Sequence, residues 1–445
     1  MSGNRSASSL SEDDPVSGSN SADAFPKIVG GQGVYFDLAD GRRVLDGSNT
    51  GGPLGHGHPE MVEALTRAAS APVVNESWPW VERAAAADEL LASVCGGDDA
   101  WLGEVYFCLS GSEANDLALS LCQAVTGRGK LATRERAYHG ASGLARDVTL
   151  QPHCHGGLSW ADGRVDPVPR GAEVIQLPGP CGERIGGRPS DPDADVRQLA
   201  GAEKALADVA GVIVDYTQGG TYFSAAYQDA LARAAARAGA LWVADEVVSG
   251  FGRTGVRFSF NGTEARPQLV TLGKGLGGGA APVGAVVLSR DLAERIRQAH
   301  WTTSGTFRGH PASIAAIRAH LRIFERDRLA DRAARLDRTM FRLLGEVADR
   351  HASVRRVDGR GLHWTVELQG RDWRSWQGAP GPTTLAGAVA ARAREAGALI
   401  GTSGEETSLF LAPPLIIEDD ELQRLVEALD DGLFAADRIL EMNEV

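Results

Sequence analysis

Apolar and polar residues alternate along the chain with two different periods, which predicts strands and helices that follow one another in turn. Almost continuous apolar runs predict strands at 105–109, 211–216, 241–244 and 269–272, and stretches with helical periodicity predict helices at 60–69, 112–125 and 227–238. Strands that are apolar throughout and joined by helices are typical of a parallel sheet with helices on both faces. The sequence therefore predicts an α/β fold whose large domain is built on a mostly parallel sheet.

The pattern changes on both sides of this region and predicts a smaller α+β domain. Apolar runs at 33–37 and 43–46 predict a hairpin, and the chain beyond residue 311 predicts alanine- and arginine-rich helices around strands at 362–368 and 409–411. We expect a disordered tail at 1–24, an N-terminal segment of the small domain at 25–65, the large domain at 66–310 and the rest of the small domain at 311–445. Residues 151–195 are rich in Pro and Gly and predict a long loop of the kind that forms lids or binding loops.

Composition narrows the class of protein. The chain has 445 residues, a formal net charge of -13 and no apolar stretch long enough to cross a bilayer, and its charges are interleaved, so neither a membrane span nor nucleic-acid binding is expected. Five cysteines without a Cys-x-x-Cys pair predict free thiols and a cytoplasmic location. The triplet His153-Cys154-His155 does not favour a metal site, because adjacent residues cannot easily face one ion.

Lys274 is the first candidate for chemistry. It is one of only 4 lysines in a chain that has 41 arginines, and it stands between two glycines at the end of a predicted strand. An arginine can replace a lysine where only charge is needed, but it cannot readily form a Schiff base. Lys274 is therefore a candidate covalent nucleophile, and an ordinary turn lysine is the alternative.

Three further features would suit a lysine that carries pyridoxal phosphate. Asp245 ends a predicted strand and could hold the ring nitrogen in its protonated form, although an ordinary turn residue is the alternative. The string from Ser110 to Asn115 lies between a strand and a helix, where free N–H groups can bind a phosphate or where a serine can simply cap the helix. Tyr138 could stack on a cofactor ring or only pack against its neighbours.

The chain resembles the class III aminotransferases, which are fold type I pyridoxal-phosphate enzymes. The resemblance runs from about Gly33 to the C-terminus, and a short string around Arg308 also resembles diaminobutyrate-2-oxoglutarate transaminases. It rests on strings in the order and spacing of that family: Ser110-Gly111-Ser112-Glu113-Ala114, Tyr138-His139-Gly140, the segment 245–255, Leu272-Gly273-Lys274-Gly275 and Gly305-Thr306-Phe307.

The resemblance implies a fold with a large cofactor-binding domain and a small α+β domain, and a role for each matching residue. Lys274 would form the Schiff base with pyridoxal 5'-phosphate, and Thr306 would reach the phosphate bound by the neighbouring subunit, so the enzyme would be a homodimer with composite active sites. The other cofactor-binding residues would be Asp245 at the ring nitrogen, Gly111 and Ser112 at the phosphate, Tyr138 and Val247 on the two ring faces, and His139.

Three positions depart from the family pattern. Asp215 stands where many members have a glutamate, Phe410 stands where members acting on α-amino acids have a carboxylate-binding arginine, and Thr402 lies in a segment without the mobile arginine of several amine transaminases. Arg308 is the leading substitute for the missing arginine, with a surface arginine as the alternative. Trp78 and Trp80 fall where the family lines its substrate pocket, and core packing is the alternative for them.

These observations predict a ping-pong transamination. The donor would be an amine or amino acid and the acceptor a ketone or aldehyde, with a larger molecule from specialised metabolism as one substrate. A diaminobutyrate-2-oxoglutarate-type transaminase is one alternative, and an aminomutase, epimerase or decarboxylase on the same fold is another. A nucleotide phosphate loop is disfavoured, because Gly275 stands where such a loop needs Ser or Thr.

Overall fold

The computed structural model describes residues 27–96, 100–160, 164–179, 194–215, 222, 224–299, 301–370, 373 and 384–443. The predicted tail at 1–24 and part of the Pro- and Gly-rich segment at 151–195 lie outside the described residues. The strands in chain order are β1 (Ile28–Gln32), β2 (Tyr35–Leu38), β3 (Arg43–Asp46), β4 (Leu102–Cys108), β5 (Lys130–Arg134), β6 (Leu158–Ser159), β7 (Val165–Asp166), β8 (Val174–Leu177), β9 (Val209–Asp215), β10 (Leu241–Asp245), β11 (Leu269–Leu272), β12 (Gly284–Ser289), β13 (Val354–Arg360), β14 (His363–Leu368), β15 (Ala398–Leu399), β16 (Gly401–Thr402) and β17 (Ser408–Leu411).

The helices alternate with these strands. They are α1 (Pro59–Ala68), α2 (Val81–Cys95), α3 (Gly111–Thr126), α4 (Gly143–Asp147), α5 (Ala194–Gln198), α6 (Ala202–Ala205), α7 (Ala225–Ala238), α8 (Arg290–Ala299), α9 (Pro311–Arg326), α10 (Leu329–Arg350), α11 (Leu385–Glu395) and α12 (Asp419–Asn443). Serine side chains cap the starts of α3 and α7, and both helices end at glycines in the left-handed conformation.

A seven-stranded sheet forms the centre of the molecule, in the order β4-β12-β11-β10-β9-β5-β8. The strands from β11 to β8 pair in parallel, whereas β12 runs antiparallel to both of its neighbours. The mostly parallel sheet predicted from the apolar runs is therefore confirmed.

Side chains of the central strands enter two hydrophobic layers, one on each face of the sheet. On β10, Trp242 and Ala244 are buried in one layer, and Val243, between them, is buried in the other. The same alternation on β9 places Val212 in the first layer and Ile213 in the second. Because side chains of a strand point alternately to opposite faces, helices must cover both sides of this sheet.

The two ends of the chain build further sheets beside the large one. β1, β2 and β3 form an antiparallel unit that β15 joins in parallel, so N- and C-terminal segments share one sheet. The antiparallel sheet β13-β14-β17-β16 forms from the C-terminal part of the chain, and β6 and β7 make a separate hairpin. No helix within the described residues is both long and apolar enough to cross a membrane.

Candidate active site at the carboxyl edge of the large sheet

The candidate residues gather where strands of the large sheet end. Asp245 ends β10 and pairs in register with Asp215, which ends β9, while Arg134 ends the adjacent β5. Lys274 follows β11 by two residues. Open α/β sheets bind ligands at the carboxyl ends of their strands, so this edge is where a site is expected.

Lys274 begins a short 3-10 turn with a backbone φ of 36°, in the left-handed region. The Lys274 side chain lines the cavity and is exposed to it, and the cavity itself lies inside the protein. Burial is the largest influence on its amine and lowers the pKa of Lys274 below the ordinary value, against the opposing charge of Asp245. A lowered pKa increases the share of neutral amine, which is the form that attacks a carbonyl carbon.

Asp245 is buried in a set of hydrogen bonds that orients its carboxylate. Its Oδ2 accepts from His139 Nδ1 at 2.7 Å and from Asn115 Nδ2 at 2.8 Å, and its Oδ1 accepts from the main-chain N–H of Val247 at 3.0 Å. The other ring nitrogen of His139 lies 2.9 Å from the Thr133 hydroxyl. Because an ionised carboxylate can only accept, His139 carries its proton on Nδ1, and the Thr133 hydroxyl donates to Nε2 when the ring is neutral.

The start of α3 forms a surface suited to an anion. Ser110 caps the helix by accepting from the N–H of Glu113 at 3.2 Å, and Gly111 and Ser112 are the first helical residues, whose N–H groups have no partner within the helix. A Cβ atom on Gly111 would lie 2.7 Å from Cγ1 of Val247, so only glycine permits this close approach.

Tyr138 and Val247 line the same cavity as Lys274, Asp245, Gly111 and Ser112. This cavity has a volume of about 550 Å³, a size typical of small-molecule sites. Tyr138 is half-buried, and burial raises the pKa of its hydroxyl. His139 and Gly140 also border the cavity, and Gly140 has a φ of 142° with no room for a Cβ, which would lie 2.5 Å from the Ser112 hydroxyl oxygen.

Asp215 forms an ion pair with Arg134 at the floor of the cavity. Arg134 Nε and Nη2 lie 2.9 and 2.8 Å from Asp215 Oδ1, and both side chains are buried. Burial raises the pKa of Asp215, and the Arg134 guanidinium opposes that rise. Asp215, which is one methylene shorter than the glutamate of many family members, therefore forms its ion pair with Arg134 of the neighbouring strand β5.

The three residues expected around the substrate, and Thr306, which was expected at the phosphate of the neighbouring subunit, lie outside the cavity lining of this chain. Arg308 Nε donates to Glu113 at 3.0 Å, and its Nη1 donates to the Thr303 hydroxyl at 2.9 Å. Thr306 is exposed, Trp78 is 69% exposed, and Trp80 is half-buried with Arg83 against its ring. The cavity lining within the described residues includes none of these four predicted residues, namely Arg308, Thr306, Trp78 and Trp80.

Asn115 and Arg134 are site residues for which the sequence analysis predicts no separate role. Asn115 also donates to the main-chain oxygen of His139 at 2.7 Å, so one amide joins the motif at 138–140 to Asp245. The sequence contains one weak indication of a role for Asn115, because asparagine has a low helix propensity and here stands in the first turns of a predicted helix. Arg134 carried no such signal among 41 arginines.

Comparisons with known proteins agree with this geometry. The family model of class-III aminotransferases matches residues 17–433. The acetylornithine aminotransferase of Mycobacterium bovis is 32% identical over 404 residues, which cover 90% of each chain.

Solved structures give the same result. An amine transaminase from an uncultivated Pseudomonas species, solved in its PLP-bound form, has a TM-score of 0.81 at 25% identity and covers 96% of this chain and 99% of its own. A phospholyase from Arthrobacter, solved with phosphoethanolamine, has a TM-score of 0.78 at 29% identity and covers 92% of this chain and 94% of its own.

The residues present fit pyridoxal phosphate as a group. The Lys274 amine, the oriented Asp245 carboxylate and the N–H groups at the start of α3 border one cavity, and glycines at 111 and 140 leave room for close approach. The chain therefore belongs to the class III aminotransferases, enzymes that use pyridoxal 5'-phosphate.

Proposed function

We propose that this enzyme moves an amino group from an amine donor to a ketone or aldehyde acceptor in two successive half-reactions, the ping-pong scheme. The observation that carries the proposal is the convergence of Lys274, Asp245 and the start of α3 on one cavity. When bound, pyridoxal phosphate supplies a ring that accepts electrons from the substrate's amine-bearing carbon and so makes its proton removable.

Lys274 is the group that holds and moves the proton in this scheme. Its amine would be linked to the cofactor at rest. After release by the donor it would remove a proton from the substrate's amine-bearing carbon as a base, and as an acid it would deliver that proton to the cofactor carbon to which the amine is attached. Asp245 would hold the ring nitrogen in its protonated form, with His139 and Asn115 fixing the carboxylate. Gly111 and Ser112 would bind the phosphate, and Tyr138 and Val247 would lie on the two faces of the ring.

A second copy of the chain would complete the site through Thr306. Exposed apolar side chains stand on segments that contact one another beside the cavity: Val73, Trp78, Val81, Leu109 and Phe307. The main-chain N–H of Gly305 donates to Glu76 at 2.5 Å, and Arg308 binds Glu113 at the start of α3, which ties these segments together. An exposed apolar patch of this kind is typical of an interface, and a homodimer is the partner that we propose.

The substrate would lack a carboxylate next to the reacting carbon, as a ketone or aldehyde on a larger molecule of specialised metabolism does. Phe410 stands where we align the carboxylate-binding arginine of members that act on α-amino acids, and the segment that ends at Thr402 lacks the mobile arginine of several amine transaminases. Arg308 is already paired with Glu113. The bound phosphoethanolamine of the Arthrobacter phospholyase is also an amine without a carboxylate. We place the enzyme in the cytoplasm, since Cys95, Cys108, Cys122 and Cys154 are free thiols.

A reaction other than transamination is the second candidate. The phospholyase neighbour is named for a different reaction on this fold, and Lys274 and Asp245 would serve a mutase, epimerase or decarboxylase equally well. A carbonyl product that stops at about one equivalent per active site with the amine alone, and continues only when a second carbonyl substrate is present, would support transamination.

The test combines a donor screen with a lysine variant. The purified protein, loaded with pyridoxal phosphate, is mixed with single amines, and loss of the cofactor's visible absorbance is followed before and after a carbonyl acceptor is added. Lys274→Ala is expected to lower turnover by orders of magnitude, because both the covalent link and the proton carrier are lost. Lys204→Ala, at an exposed lysine on α6, is the matched control. Near-normal turnover in Lys274→Ala, or activity on small 2-oxo acids alone, would contradict the proposal.

A further inference from the structure

Arg308 holds the carboxylate of Glu113 at the start of α3. Arg308 Nε donates to Glu113 Oε1 at 3.0 Å, and the other oxygen, Oε2, accepts from the main-chain N–H of Leu109 at 2.9 Å. The Arg308 side chain is only 10% exposed, and that of Glu113 is 29% exposed. Both carboxylate oxygens are therefore bound, and the guanidinium lies largely inside the protein.

The segment at 303–308 is shaped to bring Arg308 to this position. A Cβ atom on Gly305 would lie 2.6 Å from Arg308 Nε and 2.8 Å from Arg308 Cδ, so the arginine side chain passes over a residue that has none. Arg308 Nη1 donates to the Thr303 hydroxyl at 2.9 Å, and Glu76 Oε2 lies 4.0 Å from the same nitrogen. These contacts fix the guanidinium beside Glu113.

The charge of Glu113 matters because of where it stands. Glu113 is the third residue of α3, in the turn whose N–H groups at Gly111 and Ser112 are proposed to bind the cofactor phosphate. A carboxylate in the first turn of a helix is favoured by the positive end of the helix dipole. Beside a phosphate bound at the same turn it is unfavourable, because like charges repel, and more strongly where water is excluded. Without a compensating cation, Glu113 would weaken phosphate binding.

Neither α3 nor the cavity lining supplies another cation for this purpose. α3 carries two acidic residues in its first two turns, Glu113 and Asp116, and no lysine or arginine. Lys274 is the only lysine or arginine among the lining residues that the structure describes, and its amine is the group proposed to hold the cofactor. The ion pair with Arg308 is therefore the compensating charge beside the start of α3.

The buried thiol of Cys108, at the end of β4 just before α3, is subject to both charges. Burial is the largest influence on it and the charge of Glu113 adds to burial, so that the pKa of Cys108 rises to about 12. The charge of Arg308 is one of the influences that lower this pKa. Glu113 and Arg308 thus act with opposite signs where the chain enters the proposed phosphate site.

We propose that Arg308 is a positioning residue for the cofactor phosphate, because it holds the Glu113 carboxylate and compensates its charge so that the start of α3 can bind an anion. The inference rests on the phosphate site proposed above for Gly111 and Ser112. It gives Arg308 a role in place of the substrate contact that the sequence suggested. The guanidinium acts through Glu113 and does not itself touch the phosphate.

Pyridoxal phosphate and pyridoxal, which lacks the phosphate, separate this role from a structural one. The full-length apoenzyme is titrated with each compound, and the visible absorbance that follows linkage to Lys274 gives the two dissociation constants. Arg308→Met keeps an unbranched side chain but removes the charge. It is expected to weaken the binding of pyridoxal phosphate about tenfold and that of pyridoxal less than about twofold, since only the phosphate meets the uncompensated carboxylate.

Removal of the carboxylate should reverse the effect. In the double variant Arg308→Met/Glu113→Gln, the affinity for pyridoxal phosphate should return to within about threefold of the wild type, because the uncompensated charge is gone and the amide oxygen still accepts from the Leu109 N–H. Arg308→Lys keeps the charge and should retain most of the affinity. Arg326→Met is the matched control, since Arg326 binds Glu60 in the first turn of α1, which is not among the described cavity-lining residues. It should leave both affinities unchanged.

Each result decides between the proposals. Equal weakening of both compounds in Arg308→Met, or a double variant that binds pyridoxal phosphate no better than Arg308→Met does, would show a purely structural role and overturn the inference. If Arg308→Met fails to fold, Arg308→Gln takes its place, since its amide can still donate to Glu113, and an unchanged preference for the phosphate compound would overturn the inference. A wild-type enzyme that binds pyridoxal phosphate no more tightly than pyridoxal would overturn the phosphate site at α3 together with the role of Arg308.

Discussion

Glu405 joins the C-terminal hairpin to the large domain, and its replacement by glutamine is expected to destabilise the protein in a pH-dependent way. The side chain is fully buried, with Oε1 3.5 Å from Arg136 Nε and Oε2 3.2 Å from His153 Nδ1. Removing one partner of a buried ion pair costs about 3–5 kcal/mol, because a charge is left uncompensated. The Arg136 part of this cost should be constant over the neutral pH range.

The His153 part should vary with pH. Burial alone would lower the pKa of His153, but its hydrogen bonds to Cys154 and Glu405 and the charges of these groups outweigh burial and raise it to about 9 from 6.5. That rise is worth about 3 kcal/mol in all, and we assign roughly half of it, about 1.5 kcal/mol, to Glu405. Because the folded pKa lies above the unfolded value, this contribution is complete below pH 6.5 and is lost as the pH rises through 9.

Urea denaturation at fixed protein concentration, at about pH 6 and about pH 9.5, measures both parts. The loss of unfolding free energy in Glu405→Gln should be about 1.5 kcal/mol larger at the lower pH. Glu406→Gln is the matched control, since Glu406 is only partly buried and an amide oxygen can still accept from its partner, the Thr384 hydroxyl. An equal loss at both pH values, or an equal loss in Glu406→Gln, would refute the assigned electrostatic contact.

Three further predictions concern buried positions. Burial raises the pKa of Glu246 to about 8, so wild-type stability should fall as the pH rises from 4.5 through 8, and Glu246→Gln should flatten the dependence of Tm on pH in that window. Burial lowers the pKa of His320 to about 4, so stability should fall as the pH drops from 6.5 through 4, and His320→Leu should retain more of its Tm at acid pH than the wild type does. Gly140→Ala should weaken cofactor binding by about tenfold or more, because its Cβ would lie 2.5 Å from the Ser112 hydroxyl oxygen. Titration of the apoenzyme with pyridoxal phosphate measures this affinity, and an unchanged affinity would contradict the proposed phosphate site at the start of α3.

The strands of the large sheet could be predicted because burial on both faces leaves a continuous apolar run. The prediction at 269–272 matches β11 at both ends, and that at 241–244 stops one residue before Asp245, the polar residue that ends β10. The direction of β12 could not be predicted, because an apolar run has the same composition whichever way it pairs. The domain boundaries near residues 65 and 310 stay a prediction.

The candidate site could be predicted in part for a related reason. Lys274, Asp245 and Gly111 each stand just beyond or at the end of a strand, so topology alone brings them to one edge. Asn115 and Arg134 act through contacts across 130 and 81 residues of chain, which no local pattern encodes. The roles of the site residues also stay a prediction until the variants are measured.

The arginines around the site support the proposed preference for a substrate without a carboxylate beside the reacting carbon. Arg134 is paired with Asp215, Arg136 with Glu405 and Arg308 with Glu113, and the guanidinium of Arg253 donates to main-chain oxygens. A substrate carboxylate that took one of these guanidinium groups would leave a protein carboxylate or carbonyl without its partner, and the lost hydrogen bond would cancel much of the gain. The charges of these arginines are therefore compensated before substrate arrives, which supports the proposal that an uncharged group lies beside the reacting carbon.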